Sequence, residues 1–165
     1  MKKAIRTIVI TIILLSLVIL MVRVFDIRVI KVSGHSMYPT LIENNYVLST
    51  KENKLQNGDL ILFEYENIKM IKRIIGVPGD KIEVKDNGDV YINDSYLDES
   101  YKHDHVDEFK NEVTYPITVK EGEYFVLGDN RDDSLDSRIL SVGNIKREDI
   151  IGKVWLSIYP PKIIK

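Results

Sequence analysis

Leu60-Ile61-Leu62-Phe63-Glu64-Tyr65-Glu66-Asn67-Ile68-Lys69-Met70-Ile71-Lys72-Arg73-Ile74-Ile75-Gly76-Val77-Pro78-Gly79-Asp80 is the stretch on which the fold turns. Two apolar runs, Leu60–Tyr65 and Lys69–Ile75, flank the polar break Glu66-Asn67-Ile68. Short apolar runs around a polar break predict a β-hairpin. Val77-Pro78-Gly79-Asp80 then turns the chain, because Pro presets φ and Gly supplies φ > 0 at the next position. Further strands are expected at Val24–Val32, Lys81–Lys85, Val90–Ile92, Tyr115–Val119, Tyr124–Leu127 and Ile151–Tyr159. Asp86-Asn87-Gly88-Asp89 provides a second hairpin signal. Ser100–Glu112 is charged and aperiodic and reads as a surface loop. Few segments look helical. The expected body is mainly β, an antiparallel β-sandwich or folded barrel.

Ahead of that body lies an almost wholly apolar run, Thr7–Val22. Counted from Ala4 it holds 19 residues, enough nearly to span a hydrocarbon core of about 30 Å. A cleaved signal peptide is the rival reading. The run is long for one, and Met21-Val22-Arg23-Val24-Phe25-Asp26 contains no small-x-small cleavage site. The expected organisation is therefore a tail and transmembrane anchor over 1–23 and a soluble domain over 24–165. Lys2, Lys3 and Arg6 before the span nearly balance Arg23, Arg28 and Lys31 after it, so charge alone leaves the orientation open.

The formal net charge of −2 conceals an asymmetry: residues 1–23 carry +4 and the rest −6. An acidic body argues against nucleic acid as a partner. The absence of cysteine excludes a thiol nucleophile, a disulfide scaffold and Cys-based zinc sites.

Three runs carry the candidate chemistry. In Ser33-Gly34-His35-Ser36-Met37-Tyr38-Pro39-Thr40, Gly34 allows close backbone approach and Pro39 stiffens the loop holding Ser36. A turn serine bonded to its own backbone is the commoner fate of such a residue. In the second run, alternation points Lys72 the same way as Met70 and Ile74, and Arg73 the other way with Ile71 and Ile75. A lysine among apolar neighbours loses affinity for its proton and can then accept one from a hydroxyl. The alternative is a lysine whose ammonium snorkels to water.

The third run is Gly128-Asp129-Asn130-Arg131-Asp132-Asp133-Ser134-Leu135-Asp136-Ser137-Arg138. Here Ser134 can hold the lysine nitrogen, Asp136 and Arg138 can pair, and Asp129 can pair with Arg73 or Arg131. A calcium loop is the rival, but it lacks the EF-hand ligand order and places Arg131 at its centre. His35 adjoins Ser36 without being able to fold back as its base. His103-Asp104-His105 has metal-like spacing but no third ligand nearby in sequence.

The order of anchor, Ser33–Thr40, Gly58-Asp59-Leu60-Ile61, Lys72–Asp80 and Gly128–Arg138 resembles the type I signal peptidases, in the short single-anchor form of Gram-positive bacteria. The resemblance covers nearly the whole chain. It implies Ser36 as nucleophile, Lys72 as general base, Ser134 as the serine that orients the lysine, and Asp136 with Arg138 as the supporting pair. Gly34, Met37, Asp129 and Arg73 complete the supporting set.

The backbone N–H of Ser36 is then one oxyanion donor. Some relatives place a serine where Gly34 stands, so a backbone amide or a water replaces that hydroxyl here. Neither metal nor cofactor is implied. The implied substrates are signal peptides of exported preproteins, cut after small residues in an Ala-x-Ala pattern. The implied setting is the cell membrane, with a cytoplasmic amino terminus and an extracytoplasmic catalytic domain. Larger members insert a second domain before the last box; the 47 residues of 81–127 leave room only for a small one.

Two other readings compete. A self-cleaving repressor would carry a DNA-binding segment where this chain has an apolar span. A non-catalytic membrane-anchored β-domain that binds an extracytoplasmic partner would leave the three boxes unexplained. Nothing in the sequence speaks to oligomeric state.

Overall fold

A computed structural model describes residues 2–103, 111–159 and 161–164. Helix α1, Lys2–Val24, buries none of its residues against the rest of the protein and is long and apolar enough to cross a membrane. It ends where Asp26 turns to φ +46°, a left-handed residue closing the helix. Val24 therefore belongs to the helix. The strand expected over Val24–Val32 shrinks to β1, Arg28–Lys31.

The other strands are β2 (Tyr46–Thr50), β3 (Leu60–Tyr65), β4 (Ile68–Gly76), β5 (Lys81–Val84), β6 (Val90–Ile92), β7 (Ser95–Tyr96), β8 (Ile117–Thr118), β9 (Glu123–Leu127), β10 (Ile145–Lys146), β11 (Ile150–Tyr159) and β12 (Lys162–Ile163). They form two antiparallel sheets. The larger runs β1-β2-β11-β3-β4-β9-β10, with β12 on β11, and the smaller runs β7-β6-β5-β8. The mainly β architecture expected from the sequence is the one observed.

The central hairpin pairs Tyr65 with Ile68, so its loop is the two residues Glu66-Asn67. Both have positive φ, at 49° and 63°, the primed turn that matches strand twist. In the next turn Gly79 sits at φ +91° and Asp80 N–H donates to Val77 O at 3.0 Å.

Three apolar clusters fill the body. One face of β3 joins Val32, Met37, Leu41 and Val47. The other, with Ile61, Phe63 and Ile74, packs on Val126 and Ile145. A third, including Ile75, Phe125 and Leu127, fastens the small sheet through Ile82, Val84 and Val90. The loop expected over Ser100–Glu112 lies partly outside the described residues, as do Asp104 and His105.

Candidate active site

Strand β4 places the central side chains. Its partner β9 pairs only with Arg73, Ile74 and Gly76, whereas β3 pairs with Ile68–Arg73. Ile68–Lys72 therefore keeps one edge uncovered by β9. Across that edge lies the loop after β1, and the groove between them has a volume of about 400 Å³. Val32, Gly34, Ser36 and Met37 form one wall, and Met70 and Lys72 are part of the other. Gly34 adopts φ +82°, the conformation that lets the chain turn into Ser36. Met37, 3% exposed, anchors the loop in the core, and its carbonyl accepts a bond from Leu41 N–H at 2.8 Å.

Lys72 Nζ donates to Ser36 Oγ at 2.6 Å. The lysine is 2% exposed while Ser36 is half-buried, and both line the groove. Burial draws the Lys72 pKa from 10.5 to about 8. Asp136 and Asp133 oppose that shift and Arg138 assists it. An amine that releases its proton near neutrality, against a hydroxyl facing a groove, can accept the hydroxyl's proton as it attacks a carbonyl.

Arg73 leaves the opposite face of β4 and meets Asp129 through two bonds, Nε to Oδ1 at 2.8 Å and Nη2 to Oδ2 at 2.6 Å. It also donates to Gly58 O at 2.8 Å, and Tyr101 covers its guanidinium with a ring centroid 3.9 Å away. Of the two partners open to Asp129 in the sequence, Arg73 is the one it takes. Arg131 instead pairs with Glu99.

Asp136 accepts from Arg138 Nε at 2.8 Å and Nη2 at 2.9 Å, and from Gly128 N–H at 3.0 Å. Burial would raise its carboxyl, but the Arg138 guanidinium and the Gly128 amide outweigh burial and hold it below the usual carboxylate range. With Asp129 and Asp136 bound to guanidinium groups, the loop's carboxylates are not arranged as a calcium cage. Among the described residues no group of three or more His, Cys, Asp or Glu is placed to hold a metal ion.

Ser134 lies on this loop against Gly128: a Cβ at Gly128 would fall 2.2 Å from Ser134 Oγ. Its hydroxyl is buried and, among the described residues, makes no hydrogen bond to Lys72. Its interaction with Asp136 helps to hold that carboxyl low. His35 is exposed, with Nε2 3.7 Å from Glu43 Oε2. His103 packs edge-on against Tyr38 at 4.9 Å between centroids. Glu99 and Tyr101 were not marked by any local pattern, because their partners Arg131 and Arg73 are 32 and 28 positions away.

Comparison with known proteins identifies the family. The family described as Signal peptidase, peptidase S26, matches residues 3–159. Signal peptidase I U of Bacillus subtilis (strain 168) is 37% identical, over 91% of this chain and 88% of the relative. Signal peptidase IB of Staphylococcus aureus (strain COL) is 34% identical, over 97% and 92%. A crystal structure of a signal peptidase I from Enterococcus faecalis V583 superposes with a TM-score of 0.51 at 35% identity, covering 61% of this chain and 97% of that one. The family model spans most of the chain and the relatives are matched over most of their own length, and this chain belongs to the signal peptidase family of serine peptidases, peptidase S26.

Proposed function

We propose that this protein is a membrane-bound endopeptidase that removes amino-terminal signal peptides from exported preproteins after small residues, with Ser36 as nucleophile and Lys72 as general base. The observation that carries the reading is the 2.6 Å contact between Lys72 Nζ and Ser36 Oγ at a lysine 2% exposed. Residues 1–23 are the tail and anchor and 24–165 the peptidase domain, the amino terminus cytoplasmic and the domain extracytoplasmic. The anchor holds the site where an exported chain emerges and raises its effective concentration.

Neutral Lys72 takes the Ser36 proton as Oγ attacks the scissile carbonyl. The Ser36 N–H is one donor to the oxyanion. Protonated Lys72 then delivers its proton to the leaving amine, and an acyl-enzyme remains on Ser36. Water, deprotonated by the same lysine, attacks the ester and frees the serine, which regains its proton. Ser134 is the residue that orients the lysine, a step requiring its buried hydroxyl to rotate toward Nζ. Asp136 with Arg138 and Asp129 with Arg73 fix the loops around it, while Gly34 and Met37 shape the loop that holds Ser36.

The uncovered edge of β4 suits an extended substrate, which would add as a strand beside Ser36. Met37 and Met70 in its walls make the groove apolar, which suits the apolar side chains of an Ala-x-Ala site. The test is cleavage of a preprotein bearing an Ala-x-Ala site by the detergent-solubilised protein. Wild type cuts, whereas Ser36→Ala and Lys72→Met stay folded and do not. If Lys72→Met still cuts, the dyad is wrong.

A further inference from the structure

The segment Glu99–His103, which follows strand β7 of the small sheet, makes three contacts with three successive residues of the site loop. Glu99 binds Arg131 through both carboxylate oxygens, one of them to Nη1 at 3.1 Å, with the two side chains 5% and 0% exposed. The Tyr101 hydroxyl donates to Glu99 Oε1 at 3.0 Å, while its ring covers the Arg73 guanidinium that grips Asp129. His103 N–H donates to Asp129 O at 2.9 Å, and His103 forms a parallel bridge with Asn130.

The other side of that same loop touches the serine. Asn130 N–H donates to Ser36 O at 3.1 Å, and its side-chain amide to His35 O at 3.2 Å. Arg131 Nε donates to Gly128 O at 3.0 Å, and the Arg131 carbonyl accepts from Arg138 Nη2 at 2.8 Å. Residues 129–131 are thus held between the segment 99–103 and the loop carrying Ser36.

We propose that Glu99–His103 is a brace for the active site and that Glu99 is a positioning residue for Ser36, acting through Arg131 and Asn130. The inference rests on the reading of Ser36 as nucleophile. A buried guanidinium requires a counter-charge, and Glu99 supplies it from the segment that follows β7. Without it Arg131 stays buried uncompensated or moves toward water, and residues 129–131 move with it. A displacement of about 1 Å at reacting atoms lowers a rate about 100-fold. The small sheet then has a task in the reaction: it delivers the brace.

The full-length protein in detergent is assayed on an Ala-x-Ala preprotein as wild type, Glu99→Gln, Glu99→Gln with Arg131→Met, and Ser36→Ala. For Glu99→Gln, kcat falls at least tenfold with KM within twofold. The double variant removes the buried charge pair, so its denaturation midpoint recovers while kcat stays low. A wild-type kcat in Glu99→Gln overturns the proposal. So does joint recovery of midpoint and kcat in the double variant, which would make the pair purely stabilising. If Glu99→Gln does not fold, Tyr101→Phe decides: a kcat loss of threefold or more at unchanged midpoint supports the brace, and unchanged kcat overturns it. Cleavage by Ser36→Ala would instead sink the nucleophile reading itself.

Discussion

Lys72 Nζ stands 2.6 Å from Ser36 Oγ, and burial has drawn its pKa to about 8. Only the neutral amine can accept the serine proton. At pH 6 nearly every molecule carries the protonated form, which cannot serve as the proposed base. The expected kcat/KM therefore climbs about tenfold per pH unit toward pH 8 and levels above it. A peptide substrate assayed from pH 6 to 10 checks this. A profile already flat at pH 6 would leave some other group as the base.

The same shift has a cost in stability. The folded pKa lies below the unfolded value of 10.5, so the unfolded chain binds more protons between the two. The penalty is fully present below about pH 8 and vanishes above about 10.5. Its size at low pH is about 3 kcal/mol. Lys72→Met, while inactive, is expected to be more stable than wild type at pH 6 and to lose most of that advantage at pH 10. Denaturant midpoints of both proteins at the two pH values provide the comparison. Equal midpoints at pH 6 would contradict it.

The proposed reacting pair stood out because chemistry concentrates unusual residues. Gly34 and Pro39 around Ser36, and a lysine inside an apolar alternation, are local signals. Strand β2 was not legible. Its inward positions are Val47 and Ser49, and a serine in a core slot breaks the apolar period. Asp26 hid the end of α1, since a left-handed residue is visible in backbone angles and not in hydropathy. The pairing of charges was the least readable part. Arg73 and Asp129 are 56 positions apart, and several acids could have served each arginine. Only the register of β4 against β9 decides which acid arrives.

That ion pair is nearly dry, with side chains 3% and 1% exposed. Asp129→Asn takes the carboxylate from beside the buried Arg73 guanidinium and weakens the two hydrogen bonds it accepts. A loss of about 3–5 kcal/mol is expected. Replacing both partners, Arg73→Met with Asp129→Leu, is expected to recover part of it, because the buried cation leaves with its carboxylate. Chemical denaturation of the single and double variants measures the difference. If the double variant is no more stable than Asp129→Asn, the cost does not come from splitting this ion pair.

Gly128 is needed for space. A Cβ there would lie 2.2 Å from Ser134 Oγ and 2.6 Å from Ser134 Cβ, and also 2.6 Å from the carbonyl oxygen of Ser36. Rotation moves the Ser134 hydroxyl but not its Cβ, and the Ser36 carbonyl cannot move without moving Ser36. Gly128→Ala is therefore expected to lower kcat by at least about tenfold, since small displacements at a reacting atom are amplified in rate. Adding Ser134→Ala should not restore it. Gly76→Ala is the contrasting case. Its new methyl meets Ile82 Cδ1 at 2.7 Å, the flexible end of a core side chain well away from the serine. It should cost about 1–3 kcal/mol of stability through overpacking and leave kcat near wild type. Parallel measurement of kcat and denaturation midpoint on the two alanine variants separates the effects. A Gly128→Ala protein that cuts at the wild-type rate would mean the loop yields without displacing Ser36.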